Sequence, residues 1–200
     1  MKKIGVKTFS SRDEEKYLLE SIEIFQKLPI PSDQLFSNLG LFLKSKDLAR
    51  LLFLNHIYKQ IIDIPGVIFD FGTRWGQNMA VFSALRGLYE PFNRHRLILG
   101  FDTFSGFPSV SKEDGKSDLM KKGNVTVSAG YENYLEKVMN YHEKSSPLEH
   151  IKKYEVLKGE ASYKLKKYFY TNPQTIVALA YFDFDIYSPT KKCLEIIKPY

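Results

Sequence analysis

Four short segments of this sequence carry side chains whose types and spacing can do chemistry. The first, Asp70-x-Gly72-x-x-x-Gly76, sets a carboxylate and two glycines ahead of a helical pattern. Gly72 permits a tight turn and Gly76 a close backbone approach, while Asp70 can receive the cationic amino group of a methionine-like ligand. The alternative is a strand-to-helix turn that binds nothing. The second is Gly100-Phe-Asp102-Thr103-Phe104-Ser-Gly-Phe-Pro108. A carboxylate at a strand tip can accept hydrogen bonds from both hydroxyls of a ribose, and Phe104 can lie against an adenine face. Otherwise Asp102 caps a turn and the phenylalanines fill core. In the third, Lys158-Gly-Glu160-Ala161, Glu160 can accept from an adenine amino group and Ala161 leaves room for the ring. A capped helix start explains that segment equally well.

The fourth segment, Asp183-Phe-Asp185-Ile-Tyr-Ser-Pro-Thr190, is the most chemically loaded. Strand side chains alternate, so an extended backbone would turn Asp183 and Asp185 to the same side. Two carboxylates that close require a cation, a proton or a substrate hydroxyl between them. Mg²⁺ is the natural cation, because no cysteine-rich or paired-histidine site competes for a softer metal. In the alternative, one aspartate is exposed and the other caps the following helix. His56, His95, His142 and His150 share no metal-ligand spacing and read as structural or exposed.

The elements that must position these residues follow from periodicity. Leu18, Ile22 and Phe25 share one face of a helix starting near Asp13, with Glu14 and Glu15 suiting its positive end, and Pro29-Ile-Pro31 closes it. A second helix runs from about Asp47 to Ile62 and is stopped by Pro65-Gly66. Beyond it, short apolar runs alternate with helical stretches, the pattern of a largely parallel sheet. The strands are Val67 to Phe69, Leu97 to Phe101, Tyr154 to Leu157 and Ile176 to Phe182. Helices are expected near Asn78 to Leu88, Tyr131 to Tyr141 and Ser162 to Tyr170. A last helix opens at Ser188-Pro189, with Ser188 as N-cap. The polar stretch Ser109 to Gly130 is a long loop or lid. In such a sheet ligands bind beyond the carboxyl ends of the strands, where the four segments fall. The expected fold is thus α/β, doubly wound and Rossmann-like, with a helical N-terminal cap over 1–64 and a binding domain over 65–200.

Composition narrows the function class. With 200 residues and 44% hydrophobic content the chain can bury one sizeable core. Its net charge of +6 comes from Lys and Arg scattered among 23 acids, which reads as a solvated, lysine-rich surface. No nucleic-acid partner is expected, since neither a basic-aromatic motif nor a helix-turn-helix pattern occurs. The single cysteine, Cys193, excludes an internal disulfide framework and reads as a small apolar helix residue in a reducing compartment. After Met1-Lys-Lys only Ile4-Gly5-Val6 precedes Lys7, so the apolar stretch of a signal peptide is missing. No run approaches the ~20 apolar residues of a membrane span, so a cytoplasmic protein without a membrane partner is expected. A homo-oligomer is compatible with the sequence.

The segments IFDFGTRWGQN, GFDTFSGFP, KGEA and AYFDFDIYSPT, in that order, resemble the macrocin-type O-methyltransferases. These are relatives of enzymes that methylate sugar hydroxyls on macrolide and aminocoumarin antibiotics. The resemblance runs from about Pro65 to the chain end, and the upstream helices suit the family's N-terminal cap. It implies a class I methyltransferase with S-adenosylmethionine held over Asp70, Gly72, Gly76, Asp102, Thr103, Phe104, Glu160 and Ala161. It further implies Asp183 as a Mg²⁺ ligand, Asp185 as general base and a small-molecule hydroxyl acceptor, on a sugar or glycosylated compound. Departures are Ser105, where relatives often carry Glu, and Glu160, where Asp is common. The family also continues, beyond the helix after the fourth strand, into another strand and an acidic pair that completes the metal site. Against that pattern, a sequence ending at Tyr200 gives the expectation of either a domain cut short at its C-terminus or a metal site left incomplete with loss of activity. Two competing readings are a non-catalytic methyltransferase-like binding protein and a nicotinamide-dependent oxidoreductase. The latter is disfavoured because no Gly-x-Gly-x-x-Gly follows a strand.

Overall fold

The structure, a computed structural model, describes residues 11–200. The Met1–Lys7 stretch considered above as a signal peptide lies outside the described residues. Contacts divide the chain into two units, Met1–Leu52 and Phe53–Tyr200.

In the first unit, α1 (Arg12–Gln26) opens on a capping box: the Ser11 hydroxyl accepts from the Glu14 N–H, and the Ser11 N–H donates to the Glu14 carboxylate at 2.7 Å. Asp13, Glu14 and Glu15 occupy its first turn, where free N–H groups favour negative charge. Two 3₁₀ turns, Ser32–Gln34 and Phe36–Phe42, fill a stretch for which the sequence suggests no element. Phe25 meets Phe42 edge to face at 4.9 Å. No described residue of this unit is buried. α2 (Ser45–Lys59) crosses into the second unit, where Leu54 and Tyr58 are fully buried.

The second unit is a four-stranded sheet in the order β3-β2-β1-β4, every pair parallel, from β1 (Val67–Phe71), β2 (Ile98–Asp102), β3 (Tyr154–Lys158) and β4 (Val177–Phe182). All five residues of β1 are buried, as required of a central strand covered on both faces. Ile68 joins Met79, Phe82 and Leu85 of α3 (Gln77–Tyr89) and Leu135 and Met139 of α4 (Tyr131–Lys144) on one face. Val67, Phe69 and Phe71 point the other way, onto Leu165 and Phe169 of α5 (Ala161–Thr171) and Cys193 of α6 (Tyr187–Ile197). Burial pushes the Cys193 thiol up to about 12, consistent with an inert packing residue. Chain order reverses beside β1, whose neighbours β2 and β4 lie on opposite sides, and such a reversal is where sheets of this kind bind their ligands.

Two expectations are corrected. Ser188 does not cap α6: the helix begins at Tyr187 after Ile186, with no side-chain cap of its own, and a distant carboxylate, Asp114, accepts from the Tyr187 N–H. Pro189 still sits in the first turn. Nor is all the basic charge solvated. Arg86 and Lys153 pair with buried Glu143 at 2.6 and 2.7 Å, and Arg96 pairs with Glu90 at 3.0 Å while donating to the carbonyls of Ile61, Ile64 and Gly66. These networks gather the amino-terminal ends of the strands, opposite the carboxyl ends, and are structural. Among the described residues no helix is long and apolar enough to cross a membrane.

Candidate active site

The β1–α3 turn lies at the reversal of strand order. Gly72 takes φ +87°, and a Cβ there would lie 2.5 Å from the Asp183 carbonyl oxygen, so the turn and the end of β4 touch backbone to backbone. The Asp183 N–H donates to the Phe71 carbonyl at 2.8 Å, carrying the ladder one residue past β4. Gly76, at φ +78°, caps α3 without a side-chain bond, leaving the first-turn N–H groups of the helix without a cap. The crowding at Gly76 comes from the Leu135 side chain of α4, which fills the space a Cβ would need. Packing against α4, rather than approach to a ligand, is therefore the constraint seen there.

Asp70 is completely buried on β1. Its Oδ1 accepts from Asn78 Nδ2 at 3.1 Å, while Oδ2 has no hydrogen-bond partner. Burial pushes its carboxyl up to about 7, with the nearby charges of Asp183 and Asp102 adding to the rise against the hydrogen bonds from Asn78 and Thr73. The same Asn78 amide reaches Asp183 Oδ2 at 3.4 Å, so one α3 side chain ties the tip of β1 to the tip of β4.

Asp102 ends β2 with both oxygens engaged: Oδ2 accepts from the Arg74 N–H and Oδ1 from the Phe104 N–H, each at 2.7 Å. Each carboxylate oxygen keeps further acceptor capacity, and burial raises the carboxyl above its ordinary range. Thr103 closes the following turn through its hydroxyl on the Gly106 carbonyl at 2.7 Å. Phe104, at φ +54° and 6% exposed, belongs to the core cluster on the α3/α4 face. Glu160 is the N-cap of α5: its carboxylate accepts from the Tyr163 N–H at 2.8 Å and from the Ser162 hydroxyl. Ala161, the first residue of α5, is buried on the opposite face of the sheet.

β4 ends at Phe182, one ladder bond before Asp183, and Asp183 and Asp185 lie beyond it, both exposed. Partial desolvation, then the charge of Asp183, raises the Asp185 carboxyl, opposed by Arg74. Among the described residues no group of three or more His, Cys, Asp or Glu is assembled to hold a metal ion.

No protein-family model matches the sequence, and no curated protein does. Solved structures do. The chain superposes on the crystal structure of CalS11, a calicheamicin methyltransferase, with a TM-score of 0.92 at 38% identity, covering 100% of this chain and 80% of that one. It also matches the apo structure of CalS11, described as a TDP-rhamnose 3'-O-methyltransferase of calicheamicin biosynthesis, with a TM-score of 0.82 at 38% identity, covering 96% and 75%. This chain belongs to the methyltransferase family of CalS11. The doubly wound α/β fold expected from strand spacing is the fold of that family.

Three site features of this methyltransferase escape sequence reading. Asn78 looks like an ordinary helix residue, and only the fold shows it between Asp70 and Asp183. Arg74 holds a left-handed conformation at φ +49° between the two glycines, where a non-glycine residue is uncommon. Asp114 lies in the polar stretch read as a lid, and its bond to the Tyr187 N–H spans 73 residues. The uncapped Ile186-Tyr187 helix start is the one local signal that a remote cap is needed.

Proposed function

We propose that this methyltransferase uses S-adenosylmethionine to methylate a hydroxyl of a sugar or glycosylated small molecule. The observation that carries this reading is 38% identity over the whole chain to CalS11, described as a TDP-rhamnose 3'-O-methyltransferase. The chemistry of the strand ends supports it. The orphaned Oδ2 of Asp70 is a buried acceptor suited to the methionine ammonium, and Asp102 on the adjacent strand retains acceptor capacity for a ribose diol. Gly72, Gly76, Thr103, Phe104, Glu160 and Ala161 complete the proposed contact set; Glu160 would have to serve the adenine while capping α5.

The bound cofactor supplies a methyl carbon on a sulfonium, open to in-line displacement. The chain's own residues align the acceptor oxygen and remove its proton. Asp185 is the proposed base: its carboxylate would take the proton of the acceptor hydroxyl, while Asp70 and Asp102 would hold the cofactor that supplies the methyl group. A carboxyl raised above its ordinary value is a better proton acceptor than one at that value. Asp183 is the residue proposed to meet Mg²⁺, but the described residues do not assemble a three-ligand set, and no step here is derived through a metal.

Calorimetric titration with S-adenosylhomocysteine tests the cofactor half. Binding that weakens at least ~10-fold in Asp102→Ala is expected, from the loss of a charged hydrogen-bond acceptor. Folded protein that binds nothing, or an Asp102→Ala variant that binds unchanged, would sink the assignment. Transfer of labelled methyl groups to a panel of nucleotide-linked deoxysugars and glycosides tests the acceptor half.

A further inference from the structure

The β1–α3 turn contains a cation, Arg74, whose side chain makes no hydrogen bond or ion pair among the described residues. Arg74 donates its backbone N–H to Asp102, but its Nε is buried without a hydrogen-bond partner. None of the ion pairs among the described residues includes it. The two buried arginines of the sheet domain, Arg86 and Arg96, each donate to carbonyls and a carboxylate, whereas Arg74 is half-buried. A guanidinium presents five N–H donors in a fixed fork, and leaving one buried and unmatched is costly unless a ligand completes it. The backbone strain at φ +49° aims this side chain from a position where glycine would be easier, which marks a functional constraint. Its charge is felt by both Asp102 and Asp185.

We propose that Arg74 binds the α-carboxylate of the cofactor's methionine moiety through its guanidinium. The inference rests on the cofactor reading above and extends it. The methionine end of that cofactor is a zwitterion. Its ammonium has Asp70, but its carboxylate would enter a crevice edged by Asp70, Asp102, Asp183 and Asp185, where repulsion needs a counter-charge. Arg74 lies on the same turn as the glycines and one hydrogen bond from the ribose carboxylate. A planar fork matches a carboxylate's two oxygens as a lysine ammonium does not. An anionic group on the acceptor, such as a phosphate, offers the same oxyanion chemistry, and the test separates the two sources.

Full-length protein and its Arg74→Met variant, each checked for folding by thermal melting, are titrated with S-adenosylhomocysteine and with its decarboxylated analogue, S-adenosyl-3-thiopropylamine. The expected result is that Arg74→Met loses about 10- to 100-fold in affinity for S-adenosylhomocysteine, the range of a charged hydrogen-bonded pair, and binds the analogue within about 2-fold of the unmodified protein. Arg74→Lys should recover part of the loss. Equal weakening toward both ligands would overturn the proposal in favour of a role in turn structure alone. Unchanged binding of both, with a raised acceptor KM, would overturn it in favour of an acceptor anion. Unmodified protein that binds neither ligand would bring down the cofactor reading itself and this inference with it, a result distinguishable from the others.

Discussion

The carboxylate of Asp114 accepts a hydrogen bond from the backbone N–H of Tyr187 at 2.5 Å, so the long polar loop caps the helix that follows Asp183 and Asp185. The loop is closed at its neck by Phe107 and the Gly123-Asn124 pair, through N–H to carbonyl bonds of 3.0 and 2.9 Å. Asp114 also accepts from the Ser111 N–H at 2.6 Å and its hydroxyl at 2.8 Å. Losing this bridge frees one helix N–H and detaches the loop, at a cost of about 1–2 kcal/mol. Asp114→Ala should raise the acceptor KM about tenfold while S-adenosylhomocysteine affinity stays unchanged. Trypsin should cut faster at Lys116, Lys121 and Lys122. Unaltered kinetics and digestion would show that the bridge does not hold the loop.

Gly72 and Gly87 make a matched pair of glycine tests. At Gly72 a Cβ would meet Asp183 backbone atoms at 2.5 and 2.8 Å, with φ at +87°. At Gly87, inside α3, a Cβ meets nothing within 4 Å. Gly72→Ala should lower stability by about 2–3 kcal/mol, since strain and collision add, and should displace the Asp183 segment with loss of transfer activity. Gly87→Ala should gain about 0.5–1 kcal/mol from helix propensity alone. Chemical denaturation of both variants measures the contrast, which reverses sign only if the β1–α3 turn is not built as described.

On the proposed cofactor reading, Asp70 should couple protons to binding. Its carboxyl titrates near 7 because it is buried, with Asp183 and Asp102 adding to the shift and hydrogen bonds from Asn78 and Thr73 opposing it. The unfolded chain ionises this group near 3.8, so between about 4 and 7 the folded protein holds a proton that the unfolded chain has released. Its contribution to stability therefore falls as pH rises through that window and is level above it. Pairing with an ammonium demands the ionised form, so S-adenosylhomocysteine affinity should rise toward pH 7 and binding at about pH 6 should release a proton. Calorimetry in buffers of differing ionisation enthalpy reads that proton directly. Asp70→Asn should flatten both dependences.

How much of this was legible in the residues follows from the range of each signal. β1 is visible because a strand buried on both faces is an unbroken apolar run such as Val67-Ile-Phe69, while the edge strands β3 and β4 are marked by shorter apolar runs that end at a turn or helix signal. The order β3-β2-β1-β4 makes neighbours of the tips bearing Asp70, Asp102 and Asp183, so the residues that strand-end reasoning singles out do lie side by side. The Phe104 and Glu160 segments were ambiguous because core filling and helix capping use the same side chains as ligand contact. Long-range pairings were invisible. Nothing local marks Asn78 as the link between Asp70 and Asp183, or Asp114 as the cap of α6, since each depends on segments brought together only by the fold. The burial of Arg86, Arg96 and Lys153 was hidden for the same reason: their partners Glu143 and Glu90 lie on other elements.

Asp185 separates binding from chemistry. It lies past the end of β4, exposed, with a carboxyl raised first by partial desolvation and then by the charge of Asp183. If it removes the acceptor proton, Asp185→Asn keeps the size and polarity of the side chain but takes away the base. Loss of a general base typically costs about 10²- to 10⁴-fold in rate. The expected result is a fall of that order in kcat, with S-adenosylhomocysteine affinity within about 2-fold because Asp185 is not among the proposed cofactor contacts. Parallel assays in EDTA and with Asp183→Ala examine the proposed metal ligand separately. Transfer that survives both shows that no metal at Asp183 is needed, and leaves deprotonation to Asp185 alone. An Asp185→Asn enzyme retaining full kcat would require the proton to leave by another route, and the base assignment would be withdrawn.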